Sequence, residues 1–153
     1  MDMPEPQGGH IMIQSQFPHG NIVLVADGSD AVRRQVVQTL GADGYEVVTA
    51  ADGLDALAWL ARRTPDVVLC DMRLPRLDGL QTCRLIRRHV RQASLPVIML
   101  SARQGLFDRA RCAVAGADAF LGKPLCDDVL RQVVRRHVDG DTGDDADVTG
   151  APH

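Results

Sequence analysis

Five unbroken apolar runs limit what the middle of this chain can become: IVLVA at 22–26, EVVTA at 46–50, DVVLC at 66–70, PVIML at 96–100 and DAFLG at 118–122. None alternates strictly between apolar and polar residues. Each therefore predicts a strand buried on both faces, as in a parallel sheet. The runs recur every 20 to 30 residues, the length of one strand plus the crossover that parallel pairing demands.

Amphipathic stretches fill the gaps. Val32, Val36, Val37 and Leu40 share one predicted helix face, and Leu54, Leu57, Ala58 and Ala61 a second. Leu80, Cys83, Ile86 and Val90 make a third, Leu106, Ala110, Ala113 and Val114 a fourth, and Leu130, Val133, Val134 and Val138 a fifth. Ser29 and Asp78 stand where N-caps belong, while Gly41, Gly44 and Gly116 follow predicted helix ends. Five β-α units in a row with right-handed crossovers predict an α/β fold, a doubly wound three-layer sandwich.

Charge separates this middle from the ends. Residues 139–153 hold five acids and no Lys or Arg, and residues 1–20 hold two acids and no Lys or Arg. Residues 21–138 carry 17 basic against 13 acidic residues, a net of +4. Both ends are poor in apolar periodicity and rich in Gly, Pro or acids. They read as a disordered arm (1–20) and a disordered acidic tail (139–153) around one folded domain (21–138).

Several function classes drop out on composition. Aromatic residues are 3% of the chain, too few for stacking platforms on single-stranded nucleic acid. The apolar runs are far shorter than the roughly 20 residues of a membrane span. No basic-then-apolar leader stands at the N-terminus, so a cytoplasmic chain is expected. Cys70, Cys83, Cys112 and Cys126 form no C-x-x-C pair, and no His lies near them in ligand spacing. They read as reduced packing residues rather than a zinc site.

In open parallel sheets ligands bind beyond the carboxyl ends of the strands. The first strand ends at Asp27-Gly28, the third at Asp71, the fourth at Ser101-Ala102 and the fifth at Lys123-Pro124. Two carboxylates, a hydroxyl and an ammonium thus converge on one sheet edge. Every strand must end somewhere, so polar ends alone mean little. Lys123, however, is the single Lys among 17 basic residues, and a compact point charge at that edge is what an anion site uses.

At these residues the sequence resembles the receiver domains of bacterial two-component response regulators. The motifs are Asp27 after the first strand, Asp71 within LCDMRLPRLDG, Ser101-Ala102 after PVIML, and Lys123-Pro124 after AGADAFLG. The resemblance implies a flavodoxin-like (βα)5 sheet in the order 2-1-3-4-5. It also implies that Asp71 is a phosphoacceptor taking its phosphoryl group from a sensor histidine kinase. Ser101, Ala102 and Lys123 would bind the phosphoryl oxygens, and Asp27, Asp71 and the backbone carbonyl of Arg73 would hold Mg²⁺. Ser101 and Phe120 fall at the family's switch positions, and Pro124 at a proline often preceded by a cis bond. The implied output is contact with a downstream protein target through the fourth helix, fifth strand and fifth helix, with no enzymatic turnover beyond self-catalysed phosphotransfer and dephosphorylation. Arg109, Arg111, Arg131 and Arg135 would lend that face a positive field. QGLFDRA at 104–110 resembles stand-alone receivers of chemosensory twitching-motility pathways.

One position departs from the pattern. Receivers normally carry two adjacent acids after the first strand. Counting back from Arg33-Arg34 aligns Asp27 with the first acid and Gly28 with the second, which keeps a helix start at Ser29 in phase. The other register would place Ala26 and Asp27 there. Loss of the second acid predicts weak Mg²⁺ binding, with Asp30 a poor substitute. It also keeps a rival reading open, a degenerate receiver that docks partners without phosphorylation. A metal-dependent phosphatase is a third reading, but Asp71-Met72-Arg73 lacks the second Asp that would protonate a leaving group. Blander roles suit the remaining features: Pro75 as a loop former, Asp78-Gly79 as a helix start, and the Arg87, Arg88, Arg91 and Arg131, Arg135, Arg136 groups as solvated helix faces rather than nucleic-acid contacts.

Overall fold

A computed structural model describes residues 21–89 and 93–140; the expected arm, most of the expected tail, and Val90 and Arg91 lie outside them. The chain runs β1 (Ile22–Ala26), α1 (Asp30–Ala42), β2 (Glu46–Ala50), α2 (Gly53–Leu60), β3 (Val67–Asp71), α3 (Gly79–Arg88), β4 (Val97–Ser101), α4 (Leu106–Ala115), β5 (Ala119–Gly122) and α5 (Asp127–Val138). The five strands are all parallel, in the order β2-β1-β3-β4-β5.

Successive strand residues point to opposite faces, and both faces are covered. Leu24, Val68, Met99 and Phe120 pack under α2, α3 and α4, against Ala56, Leu60, Cys83, Ile86 and Cys112. Val23, Val25, Leu69, Ile98 and Leu121 pack under α1 and α5, against Val36, Leu40, Leu130 and Val134. Leu24 is fully buried, so Leu24→Ala is expected to cost about 2–5 kcal/mol of stability in urea unfolding.

The last three strands begin one residue later than their apolar runs. Asp66 and Asp118 serve as fasteners instead, accepting the Ile22 and Val97 N–H groups at 2.7 and 2.8 Å. Pro96 has no N–H to give a ladder, though its carbonyl accepts from Val68 N. The Ser29 and Asp78 side chains cap α1 and α3 as expected, accepting from Val32 N and Gln81 N. Gly116 closes α4 in the left-handed region at φ 107°. Gly41 lies inside α1, which runs on to Ala42.

One predicted helix face is partly misplaced and another lies on the wrong side. In α2 the buried residues are Gly53, Ala56 and Leu60, with Leu57 partly buried against the same cluster, while Leu54, Ala58 and Ala61 are exposed. In α4 they are Cys112 and Ala115, while Leu106 and Val114 are 78% and 82% exposed. On both helices small residues are among the buried positions, while Leu54, Leu106 and Val114 turn outward. Val37 on α1 also faces out.

Candidate functional site

The carboxyl ends of β1, β3 and β5 bring Asp27, Asp71 and Lys123 into direct contact. Lys123 Nζ stands 2.7 Å from Asp27 Oδ2 and 3.3 Å from Asp71 Oδ2. Asp27 is fully buried. Its Oδ1 accepts from Ser29 N at 2.9 Å, but its Oδ2 has no aligned hydrogen bond despite the nearby ammonium. Asp71 Oδ1 accepts from Arg73 N at 3.2 Å. Burial raises the Asp71 carboxyl above its ordinary range and the Asp27 charge adds to this, with the Lys123 charge opposing.

Ser101 is the last residue of β4 and buried, but its hydroxyl engages its own loop. It donates to Arg103 O and accepts from Arg103 N, both at 2.9 Å. Ala102 follows it and is exposed. The Lys123–Pro124 bond is cis. The Phe120 ring is 6% exposed, with the Arg109 guanidinium 5.1 Å from its centroid. The ring therefore already sits in the core rather than waiting at an edge.

Gly28 keeps a backbone that any residue can adopt, and its surroundings leave room for a side chain. A β-carbon there would meet Pro75 Cδ at 3.4 Å and Ala51 O at 3.9 Å, ordinary contacts. Asp30 does not fill the gap: it is exposed and paired with Arg33. Arg33 Nη1 also donates to Asp27 O at 2.6 Å. Ala26 ends β1 and Ser29 is the N-cap of α1, so Asp27 and Gly28 form the link between the two elements.

The donor set suits Mg²⁺, which accepts one or two carboxylates completed by water and phosphate oxygens. Asp27 Oδ2, buried and without an aligned hydrogen bond, is the kind of oxygen a cation satisfies. Among the described residues no cluster of three or more His, Cys, Asp or Glu forms a full metal cage. Asp78-Gly79 is structural as expected: beyond the cap, a β-carbon on Gly79 would fall 2.0 Å from Asp71 O.

Three roles were missed or misread in the sequence. Arg87 is no solvated arginine, since it donates to Gly116 O, Leu95 O and Asp118 at 2.9, 2.6 and 2.6 Å. Gln104 lies over the end of β5 and donates to Lys123 O at 3.3 Å. Cys126 is exposed, whereas Cys70, Cys83 and Cys112 are buried and all four thiols are free. Burial raises the buried thiols, Cys112 to about 11, so they stay protonated near neutral pH.

A five-stranded 2-1-3-4-5 sheet with two acids and a Lys at its carboxyl edge is receiver architecture, and a family model of the response regulator receiver domain matches residues 23–135. The chain belongs to that family. Protein PilG of Pseudomonas aeruginosa is 43% identical over 131 residues, which cover 86% of this chain and 97% of PilG. The chemotaxis response regulator CheY4 of Vibrio cholerae superposes with a TM-score of 0.74 at 30% identity, over 77% of this chain and 98% of CheY4. The receiver domain of the sensor histidine kinase PA1611 of Pseudomonas aeruginosa, solved with a magnesium ion coordinated in its active-site cleft, gives 0.71 at 32% identity over 78% and 98% of the two chains. Among the described residues no helix is long and apolar enough to cross a membrane.

Proposed function

We propose that this receiver accepts a phosphoryl group on Asp71 from a phosphohistidine of a sensor kinase and signals by protein contact. The observation that carries this reading is the Lys123 ammonium lying between Asp27 and Asp71 at 2.7 and 3.3 Å. A carboxylate oxygen of Asp71 attacks phosphorus; the new O–P bond forms as the N–P bond to imidazole breaks, and the imidazole nitrogen keeps the electron pair. Asp71 needs no base once ionised. Lys123 holds a phosphoryl oxygen as a point charge, moving off the carboxylates it bridges in the free protein. Ser101, released from Arg103, donates its hydroxyl to another, and the Ala102 main chain lies beside it.

Asp27, Asp71 and the Arg73 carbonyl are the residues to hold Mg²⁺. When bound, the ion supplies positive charge against the repulsion between carboxylate and phosphoryl group. Because Lys123 and Mg²⁺ compete for the same oxygens and Gly28 adds none, affinity in the free protein is low and rises once phosphoryl oxygens are present.

Transferring Ser101 from Arg103 to the phosphoryl group loosens the loop into α4. Phe120, at the family's other switch position, is already buried under the Arg109 guanidinium in the free protein, so the parts assigned to move are the loop and Arg109 above the ring. The output face is α4, β5 and α5. Of the four arginines expected there, Arg111 and Arg135 are the exposed ones, since Arg109 covers Phe120 and Arg131 is paired with Asp128 and Asp43, and Asp127 and Asp128 at the start of α5 are exposed beside them. PilG is matched over 97% of its length, which supports a regulator acting through its receiver; we place that action in the cytoplasm, without direct contact to nucleic acid. The domain limits 21–138 follow the same reading.

Incubation with a small-molecule phosphodonor, with and without a chelator of divalent ions, tests the proposal. Incorporation of one phosphoryl group per chain, lost with the chelator, is the expected result. No incorporation at saturating Mg²⁺ would leave the docking-module reading, which Gly28 favours.

A further inference from the structure

Arg76, five residues beyond Asp71, is the one non-glycine residue with a left-handed backbone among the described residues, at φ 66°. A residue with a β-carbon is disfavoured there, so its surroundings must hold it. Its guanidinium grips the start of α2. Nε is 2.9 Å from Asp52 Oδ2, and Nη2 is 3.3 Å from Asp52 Oδ1 and 3.4 Å from Asp55 Oδ1. Asp52 is also the N-cap of α2, accepting from Asp55 N at 2.8 Å.

The backbone beside Arg76 is pressed onto the same helix end. Pro75 O accepts from Leu77 N at 2.7 Å and from Gly53 N at 3.4 Å. A β-carbon on Gly53 would lie 2.1 Å from Leu77 O, so only glycine admits the loop so closely. This loop carries two pieces of the site. Arg73 N bonds Asp71 Oδ1, and the Pro75 ring lines the space beside Gly28.

We propose that Arg76 is a positioning residue, whose clamp on Asp52 and Asp55 holds the loop from Met72 to Asp78 so that the Arg73 main chain stays at Asp71. The metal consequence rests on the reading of Asp71 and the Arg73 carbonyl as Mg²⁺ ligands; the positioning itself does not. A purely structural role, capping α2 alone, would leave the Arg73 main chain unaffected when Arg76 is lost.

Arg76→Gly separates these cases, because glycine keeps the left-handed backbone without strain and removes both ion pairs. Arg76→Lys returns the charge without the fork. The first readout is metal-free amide exchange by NMR. In Arg76→Gly the Arg73 and Leu77 amides are expected to exchange about threefold to tenfold faster. The Met72 amide, bonded to Leu100 O at 2.8 Å, stays unchanged, and Arg76→Lys falls between. The second is calorimetric titration with Mg²⁺, in which Arg76→Gly is expected to bind about threefold to tenfold more weakly. Unchanged exchange at Arg73 overturns the proposal whatever the metal does. Faster exchange with undiminished Mg²⁺ affinity overturns the link between clamp and site. Faster exchange in a protein that binds no Mg²⁺ before substitution supports the positioning and overturns the metal reading instead.

Discussion

Asp71→Asn is expected to abolish phosphate incorporation and to make the free protein more stable at neutral pH. The first effect follows from losing the anionic nucleophile while keeping its shape. The second follows from linkage. Burial, then the charge on Asp27, raises the Asp71 carboxyl above its unfolded value, so between those two values the native state binds more protons than the unfolded state. Stability therefore falls as pH rises through that window, and the penalty is fully present above it. Asn carries no charge to bury or repel. Lys123 keeps Asp27 at 2.7 Å when Asp71 is neutralised, so the ammonium is not stranded. The gain should be visible in urea unfolding at pH 7 and vanish as pH falls below about 4, where both carboxyl states are protonated. A less stable Asp71→Asn variant at pH 7 would contradict this electrostatic account.

Gly28→Asp is expected to tighten Mg²⁺ binding about tenfold, because ligand charge count sets divalent affinity at such sites. A carboxylate at 28 has space, with nothing closer than 3.4 Å to its β-carbon, and it would stand beside Asp27. Part of the Coulomb gain is offset by repulsion from Asp27 and Asp71, which raises the cost of keeping all three ionised. Calorimetry on the two proteins gives the ratio directly. Equal affinities would show both that Gly28 is not the second acid position and that the missing charge is not what weakens the ion.

The strands and the site residues were legible for the same reason. Parallel strands buried on both faces need continuous apolar runs, and the residue ending each run must lie at the sheet edge. Asp27, Asp71 and Lys123 therefore meet because the topology leaves them nowhere else. Helix orientation was less legible. On α2 and α4 the pattern of large apolar residues pointed to Leu54, Leu106 and Val114, but the buried positions include Gly53, Ala56 and Ala115, whose small size gives little hydrophobic signal. Long-range polar contacts were illegible. Arg87 reaching Asp118, Arg76 reaching Asp52 and Asp66 catching Ile22 N join residues 31, 24 and 44 positions apart. Nothing in the local sequence of an arginine says which carboxylate will lie within its reach.

The central claim is that Asp71 receives the phosphoryl group. Its most direct test is mass spectrometric localisation after treatment with a small-molecule phosphodonor and Mg²⁺. The account predicts added phosphate on the peptide containing Asp71 and on no other; phosphate on a different residue, with Asp71 unmodified, would contradict it.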